Sequence, residues 1–278
     1  MIVVTAASGA LGRLVVDQLL TRCPAERVVA AVRDPGRAGD LAARGVRVRV
    51  GDYDAPATLR DAFEGADRLL LISSPELDPA RRAGQHRAAV DAARSAGVGS
   101  LVYTSFLGAG TRADGVTAAH HATERALAAS GLPHTVLRHP FYSEAFLDEG
   151  LRAAVSSGRL PDGTGGRGLN TALRCDLAEA AARVLTEDGH LGRAYDLTGG
   201  LWTFGRLAEV LGRVSGRPVV TRARRDRAPG ARGWLEDQVR AGALEQQTDD
   251  LRNILGRPAT TLDRAVTAIL APPVPDAG

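Results

Sequence analysis

Val3-Val4-Thr5-Ala6-Ala7-Ser8-Gly9-Ala10-Leu11-Gly12-Arg13 is the stretch that decides the fold. Its front half belongs to the apolar run Ile2-Val3-Val4, which reads as a buried strand. Its back half leads into Leu11, Leu14, Val15 and Leu19, spaced as one face of a helix. A strand, a tight glycine-bearing turn and a helix in that order aim backbone N–H groups and a positive helix end at an anion. Gly9 lets the backbone approach a phosphate, and Gly12 lets the helix lie close on the strand. A glycine pair alone says little; its place at the first strand-to-helix junction makes it specific. Loops of this kind begin with glycine, and here that place is Ala6. A Cβ there restricts the turn. Three consequences stay open: weaker binding, a shifted cofactor, or loss of the nucleotide role.

Outward from this loop, apolar runs alternate with amphipathic segments. Val28–Val32 is the next strand. Gly45–Val50 alternates with period two, which predicts a half-buried strand. Thr58–Phe63 predicts a short helix, Leu69–Ile72 a strand, and Arg81–Ala96 a long helix stopped at Gly97. Ser100–Tyr103 predicts a strand, Ala118–Ser130 a helix and His134–Leu137 a strand. Strands alternating with helices imply right-handed crossovers and a parallel sheet covered on both faces. The fold class is therefore α/β, a doubly wound parallel-sheet Rossmann fold with a smaller C-terminal α/β lobe.

The rhythm breaks after Arg138. Pro140, Pro161 and Gly163–Gly168 interrupt it. Beyond them, Asp176–Leu185 reads as a helix, Ala194–Thr198 as a short strand, and Thr203 as the cap of a helix through Val214. Two or three helices follow, then a Pro-rich end. Residues 1–138 are read as an NAD(P)-binding domain. Residues 139–278 are read mostly as a substrate-binding lobe, with some segments returning to the first core.

Composition removes whole classes of chemistry. The 278 residues contain no lysine, so all 35 basic side chains are arginine. A Walker-type phosphate loop and a Schiff-base mechanism both need lysine. Ala, Gly and Arg are abundant, as in a chain from a GC-rich genome. The net charge of +3 is small for this length, and no nucleic-acid reading motif is visible. Cys23 and Cys175 fit no metal spacing and no disulfide framework, so no metal site is expected. No apolar run is long enough to span a membrane, and no basic leader precedes the first strand. The expectation is a cytoplasmic monomer or homodimer with no nucleic-acid or membrane partner. Arg222–Arg227 is the densest charge run, read as a solvated loop or an attractor of anionic substrate.

The second strand ends in Val32-Arg33-Asp34-Pro35. An acid at this tip suits ribose hydroxyls, and an arginine suits a 2′-phosphate. Arg33, with Arg37 nearby, argues for NADP(H). Pro35 suggests that Asp34 starts the turn instead. Asp52, in Gly51-Asp52-Tyr53-Asp54, follows the third strand, where a loop can touch adenine.

Several pieces together resemble the NmrA-like, atypical short-chain dehydrogenase/reductase family, nearest its type-2 NADPH-dependent quinone oxidoreductases. They are Thr5–Gly12, Ala31–Pro35, Gly51–Tyr53, Leu69–Ser74, Tyr103-Thr104-Ser105, His120 with Thr123-Glu124, Leu137-Arg138, Phe141–Glu144, Arg174 with Asp176, and Leu255–Leu262. The resemblance runs through almost the whole chain in order. It implies that Thr5, Ala7, Ser8, Gly9, Ala10, Leu11, Gly12 and Arg33 meet the cofactor phosphates. It implies that Ser73 and Ser74 lie beside the ribose, and it adds Thr104 and Arg138 to the cofactor set. The Arg138–Tyr142 loop is implied to roof the substrate pocket, with Ser105, Phe106, His139, Phe141 and Tyr142 as substrate contacts. The usual Tyr and Lys pair of short-chain dehydrogenases is missing: the Ala118–Arg125 segment has no tyrosine, and Arg125 stands where the family carries lysine.

Hydride transfer asks the protein mainly to hold the nicotinamide against an acceptor. A reduced quinone oxygen then needs a proton. A histidine titrating near neutrality could supply it, and His120 is the candidate, with Tyr142 to orient a carbonyl and Phe141 to stack. A Ser105–His120 nucleophilic pair lacks an orienting acid and a nucleophile elbow. The expected function is an NADPH-dependent reductase of a quinone or conjugated aromatic carbonyl, including aromatic natural-product intermediates. Two alternatives stand beside it. One is a tailoring enzyme that couples, cyclises or isomerises an aromatic polyketide. The other is an NADP-sensing regulator without turnover.

Overall fold

A computed structural model of the chain describes residues 1–224 and 226–271. In chain order the elements begin β1 (Ile2–Thr5), α1 (Ala10–Leu20), β2 (Val28–Val32), α2 (Gly39–Ala43), β3 (Arg47–Val50) and α3 (Ala57–Phe63). They continue β4 (Arg68–Leu71), α4 (Pro79–Ser95), β5 (Ser100–Phe106), α5 (Thr117–Ser130), β6 (His134–His139), β7 (Phe141–Tyr142), α6 (Gly150–Ser157), β8 (Arg159–Asp162) and β9 (Leu169–Ala172). The rest are α7 (Arg174–Thr186), β10 (Ala194–Asp196), β11 (Leu201–Trp202), α8 (Phe204–Ser215), β12 (Val220–Ala223), α9 (Gly230–Arg240), α10 (Asp250–Leu255) and α11 (Leu262–Leu270). No helix among the described residues is long and apolar enough to cross a membrane.

The chain divides into two compact units. Among the described residues, one holds 1–139, 174–197 and 253–256; the other holds 140–173, 198–252 and 257–271. The first is built on a seven-stranded sheet in the order β10-β6-β5-β4-β1-β2-β3. Every pairing in it is parallel. Val3, Val29, Leu69, Leu71 and Leu101 pack with Phe63 of α3, Val90 of α4 and Leu127 of α5. Their alternates Val4, Ala30 and Leu70 are fully buried as well, as are Val15 and Leu19 of α1. Burial on both faces explains why these strands read as unbroken apolar runs.

β3 departs from its expectation. It is the edge strand, its residues are exposed or half-buried, and Val50 is exposed. A period-two pattern on an edge has only one neighbouring strand and less to bury against.

α4 opens with Asp78 accepting from the Arg81 amide and Pro79 in its first turn. Both are start signals, and they place its beginning two residues earlier than the periodicity does. α5 ends at Gly131 with φ +75°, a left-handed cap.

The second unit carries a three-stranded sheet, β11-β9-β7, and a parallel pair, β12-β8. Its core includes Leu169, Trp202, Phe204, Leu207, Val210, Leu211, Val239 and Val266. Arg224 pairs with Glu236 at 3.5 Å and Arg227 with Asp237 at 2.7 Å. Two arginines of the Arg222–Arg227 run are thus already paired within the second unit; Arg225 lies outside the described residues.

Candidate nucleotide and catalytic site

β1 and β4 are neighbours, and the chain winds outward from them in both directions. This is the topological switch point, where the crevice beyond the strand ends takes ligands in doubly wound sheets. Beyond those ends lies a cavity of about 610 Å³. Ala6, Ser8 and Gly9 line it from the first loop, Arg33, Asp34 and Arg37 from the second, Asp52 and Tyr53 from the third, and Ser74 from the fourth.

The first loop keeps the expected turn despite its alanine. Ala6 sits at φ +48°, the one non-glycine with positive φ among the described residues. For an alanine that conformation costs about 1 kcal/mol. Its carbonyl accepts the Gly9 amide at 2.9 Å. A Cβ on Gly12 would stand 2.4 Å from that carbonyl oxygen and 2.7 Å from the Ala7 Cα, so only glycine fits there. Helix α1 has no side-chain N-cap and no acid in its first turn. Its leading amides therefore remain for an anion.

Several expected cofactor residues build this loop rather than face the cavity. The Thr5 hydroxyl donates to the Leu70 carbonyl at 3.1 Å and accepts the Ile72 amide at 2.8 Å, stitching β1 to β4. Ala7 and Leu11 are buried, and Ala7 donates its amide to Ala31. Tyr53 places its hydroxyl 2.6 Å from both Thr5 Oγ1 and the Ile72 carbonyl. Arg13, not singled out from sequence, donates Nε to the Ser8 carbonyl at 3.2 Å and also reaches the β2 tip.

At that tip, Asp34 spends its carboxylate on the Gly36 amide at 2.9 Å, capping a single 3-10 turn. Arg33 and Arg37 are exposed on the cavity wall, and neither guanidinium has an ion-pair or hydrogen-bond partner among the described residues. The residues therefore fit a dinucleotide carrying a 2′-phosphate: amides for the pyrophosphate and two uncommitted guanidinium groups for the extra anion. Asp52 turns inward to accept the Asp54 amide at 3.0 Å.

The fourth loop leads to a buried histidine cluster. Ser74 donates its amide to His86 Nε2 at 2.8 Å and its hydroxyl to Gln85 at 2.5 Å. Ser73 gives its amide to Thr104 Oγ1, so Thr104 ties the fourth loop to β5. The Tyr103 hydroxyl lies 2.8 Å from His120 Nδ1 and 3.3 Å from His86 Nδ1. Burial, helped by the Arg82 charge, pushes His120 down to about 2. Burial and Arg82 push His86 down to about 3. His120 is thus a neutral imidazole, which corrects the expectation of a histidine titrating near neutrality. Phe106 packs on it with ring centroids 6.0 Å apart. His121 turns away to the Ala109 carbonyl.

Other expectations are redirected. Arg138 grips Glu124 through Nε at 3.0 Å and Nη2 at 2.8 Å, and meets Asp196 at 3.4 Å. It is held in an internal ion-pair network. Ser105 donates to the same Glu124 at 2.6 Å, so it is not paired with His120. His139 is buried and held neutral by that burial, with a value of about 3. In the second unit, Phe141 packs edge-on against Trp234 at 5.9 Å, and Tyr142 ends β7 half-buried. Sequence reasoning passed over His86, Tyr103 and Glu124 as site residues. A histidine inside the polar helix α4 carries no periodic signal, and only tertiary packing brings it to Tyr103.

The sequence profile of the NAD(P)H-binding family matches residues 6–188. An NmrA-like family domain-containing oxidoreductase of Aspergillus flavus is 30% identical, with 91% of this chain and 90% of the relative aligned. The chain belongs to the NAD(P)H-binding, NmrA-like atypical short-chain dehydrogenase/reductase family. Quinone oxidoreductase 2 of Escherichia coli K12 is 38% identical over 96% of this chain and 98% of its own length. The crystal structure of Citrobacter sp. triphenylmethane reductase complexed with NADP(H) is similar with a TM-score of 0.93, at 37% identity, covering 97% of this chain and all of that one (100%).

Proposed function

We propose that this family member is an NADPH-dependent reductase of quinones or related conjugated aromatic carbonyls. The observation that carries the cofactor choice is the pair Arg33 and Arg37, uncommitted on the cavity wall, beside an Asp34 already used by its own turn. The similarity to quinone oxidoreductase 2 supports the acceptor class.

When bound, the reduced nicotinamide supplies a hydride to the acceptor. The chain's own tasks are binding, orientation and charge stabilisation. The α1 N-terminus and Ser8–Gly9 would hold the pyrophosphate, Arg33 and Arg37 the 2′-phosphate, and Ser74 the ribose. His120 acts as a neutral N–H donor to the oxygen that gains charge, and the product's proton comes from water. In the first unit, Phe106 offers an aromatic ring beside His120 for such an acceptor. Within the acceptor class we infer an aromatic natural-product carbonyl, a choice supported by the Ala-, Gly- and Arg-rich composition of a GC-rich source. The protein works in the cytoplasm as a monomer or homodimer.

Titration with NADPH and NADH by fluorescence, followed by nicotinamide absorbance with simple quinones, tests this. NADPH should bind about 10- to 100-fold tighter than NADH, and quinone should drive its oxidation. Binding of neither nucleotide would sink the proposal. Tight binding with no turnover on any quinone would move the protein to the sensor class.

A further inference from the structure

We infer that Tyr103 is the positioning residue for His120: its hydroxyl proton points at Nδ1 and leaves Nε2 as the ring's only N–H. The argument starts from one main-chain group. The Ser74 amide donates to His86 Nε2 at 2.8 Å. An amide N–H can only donate, so Nε2 of His86 must be the bare nitrogen and Nδ1 the protonated one. His86 Nδ1 then donates to Thr123 Oγ1 at 2.9 Å. Thr123 can receive that proton because it sends its own to the Ala119 carbonyl at 2.7 Å.

Tyr103 Oη stands 3.3 Å from the same His86 Nδ1, so on that side it faces an N–H and offers a lone pair. Thr123 also touches the Tyr103 hydroxyl and keeps a lone pair beside the one that His86 uses, so the choice falls to the short contact with His120. The Tyr103 proton is left with His120 Nδ1, 2.8 Å away. The order of protons is thereby set in one direction, from the fourth loop through His86 and Tyr103 to His120. Each ring in the series is buried and in edge or tilted contact with the next, which fixes the angles as well as the distances. The functional value of this order rests on the proposed donor role of His120. A His120 carrying its proton on Nδ1 would present a lone pair at Nε2 and repel a developing oxyanion.

The imidazole nitrogens of the full-length protein, labelled with 15N-histidine, report the tautomers directly by long-range 1H–15N correlation, without substrate. His86→Gln and His120→Gln assign the signals. The expected spectrum shows His120 as the Nε2–H form and His86 as the Nδ1–H form between about pH 5 and 8. In Tyr103→Phe, His120 should lose its single-tautomer pattern. Quinone-dependent kcat should fall about tenfold with KM for NADPH unchanged. A wild-type His120 with its proton on Nδ1, or in a mixture, overturns the inference, and so does a Tyr103→Phe spectrum in which His120 is unaltered. The wild-type spectrum decides even if that variant does not fold. Undiminished turnover in His120→Gln, with the expected tautomers present, would remove the donor role and leave the positioning by Tyr103 standing.

Discussion

The Arg13 guanidinium donates to the Arg37 carbonyl at 2.6 Å, while its Nε holds the Ser8 carbonyl and its other arm pairs with Asp40. One side chain in the first turns of α1 thus joins the phosphate loop to the tip of β2. Exposed ion pairs contribute little by themselves, so its value lies in fixing two loops that line one cavity. Arg13→Ala should weaken NADPH binding about three- to tenfold while lowering stability by less than about 1 kcal/mol. Calorimetric titration beside thermal unfolding separates the two.

Arg33→Gln removes a guanidinium from the cavity and leaves Asp34 and its turn intact. NADPH affinity should fall about tenfold or more while NADH affinity changes little. The NADPH affinity of the wild type should also drop with added salt more steeply than that of the variant. Equal losses for both nucleotides would place Arg33 outside the 2′-phosphate site.

Ala6 already holds the left-handed turn, so Ala6→Gly relieves strain without rebuilding the loop. The gain is partly offset by the freer unfolded chain. A net stabilisation of about 0.5 kcal/mol and a rise in Tm of about 1–2 °C are expected. The Kd for NADPH should move by less than about threefold. Ala6→Val, with a β-branched side chain at the same φ, should cost at least about 2 kcal/mol.

Glu124→Ala strands the Arg138 charge inside the first unit, with only the more distant Asp196 to meet it. A loss of about 3 kcal/mol in urea unfolding is expected, and the Ser105 hydroxyl loses its acceptor too. Glu124→Gln should cost less, because the amide oxygen can still accept.

His86, His120 and His139 are all held below their ordinary value, chiefly by burial. The unfolded chain protonates them below about pH 6.5, and the folded chain does not. The unfolded state therefore binds more protons, and stability falls as pH drops through about 6 to 5, by up to about 1.4 kcal/mol per pH unit for each ring. Thermal unfolding across that range should show the slope, and His139→Gln should remove about one third of it.

The central sheet was legible because β1, β2 and β4 are buried on both faces and read as unbroken apolar runs. The phosphate loop was legible because glycine spacing and chain order coincide at its strand-to-helix junction. The small strands of the second unit were not. Phe141–Tyr142 pairs with Thr171–Ala172, thirty residues away, and a two-residue strand has no period to detect. Arg33 was legible as a candidate 2′-phosphate contact, because Pro35 betrays the turn that occupies Asp34. The ion pairs of Arg138 were not legible, since its partners Glu124 and Asp196 arrive from α5 and β10. His120 was visible as a residue, but its protonation depends on burial by groups from α4, β5 and β6, and no local pattern carries that.

The orientation of the histidine series originates in the peptide group of Ser74. Side chains can be exchanged one at a time by substitution, but a main-chain amide is common to every residue except proline. The direction of proton donation toward His120 is thus insulated from drift at position 74: Ala, Gly or Thr there would keep it, and only an imino acid would erase it. In a chain without lysine and without the usual tyrosine, the proposed reaction centre would draw its polarity from a source that is not a side chain.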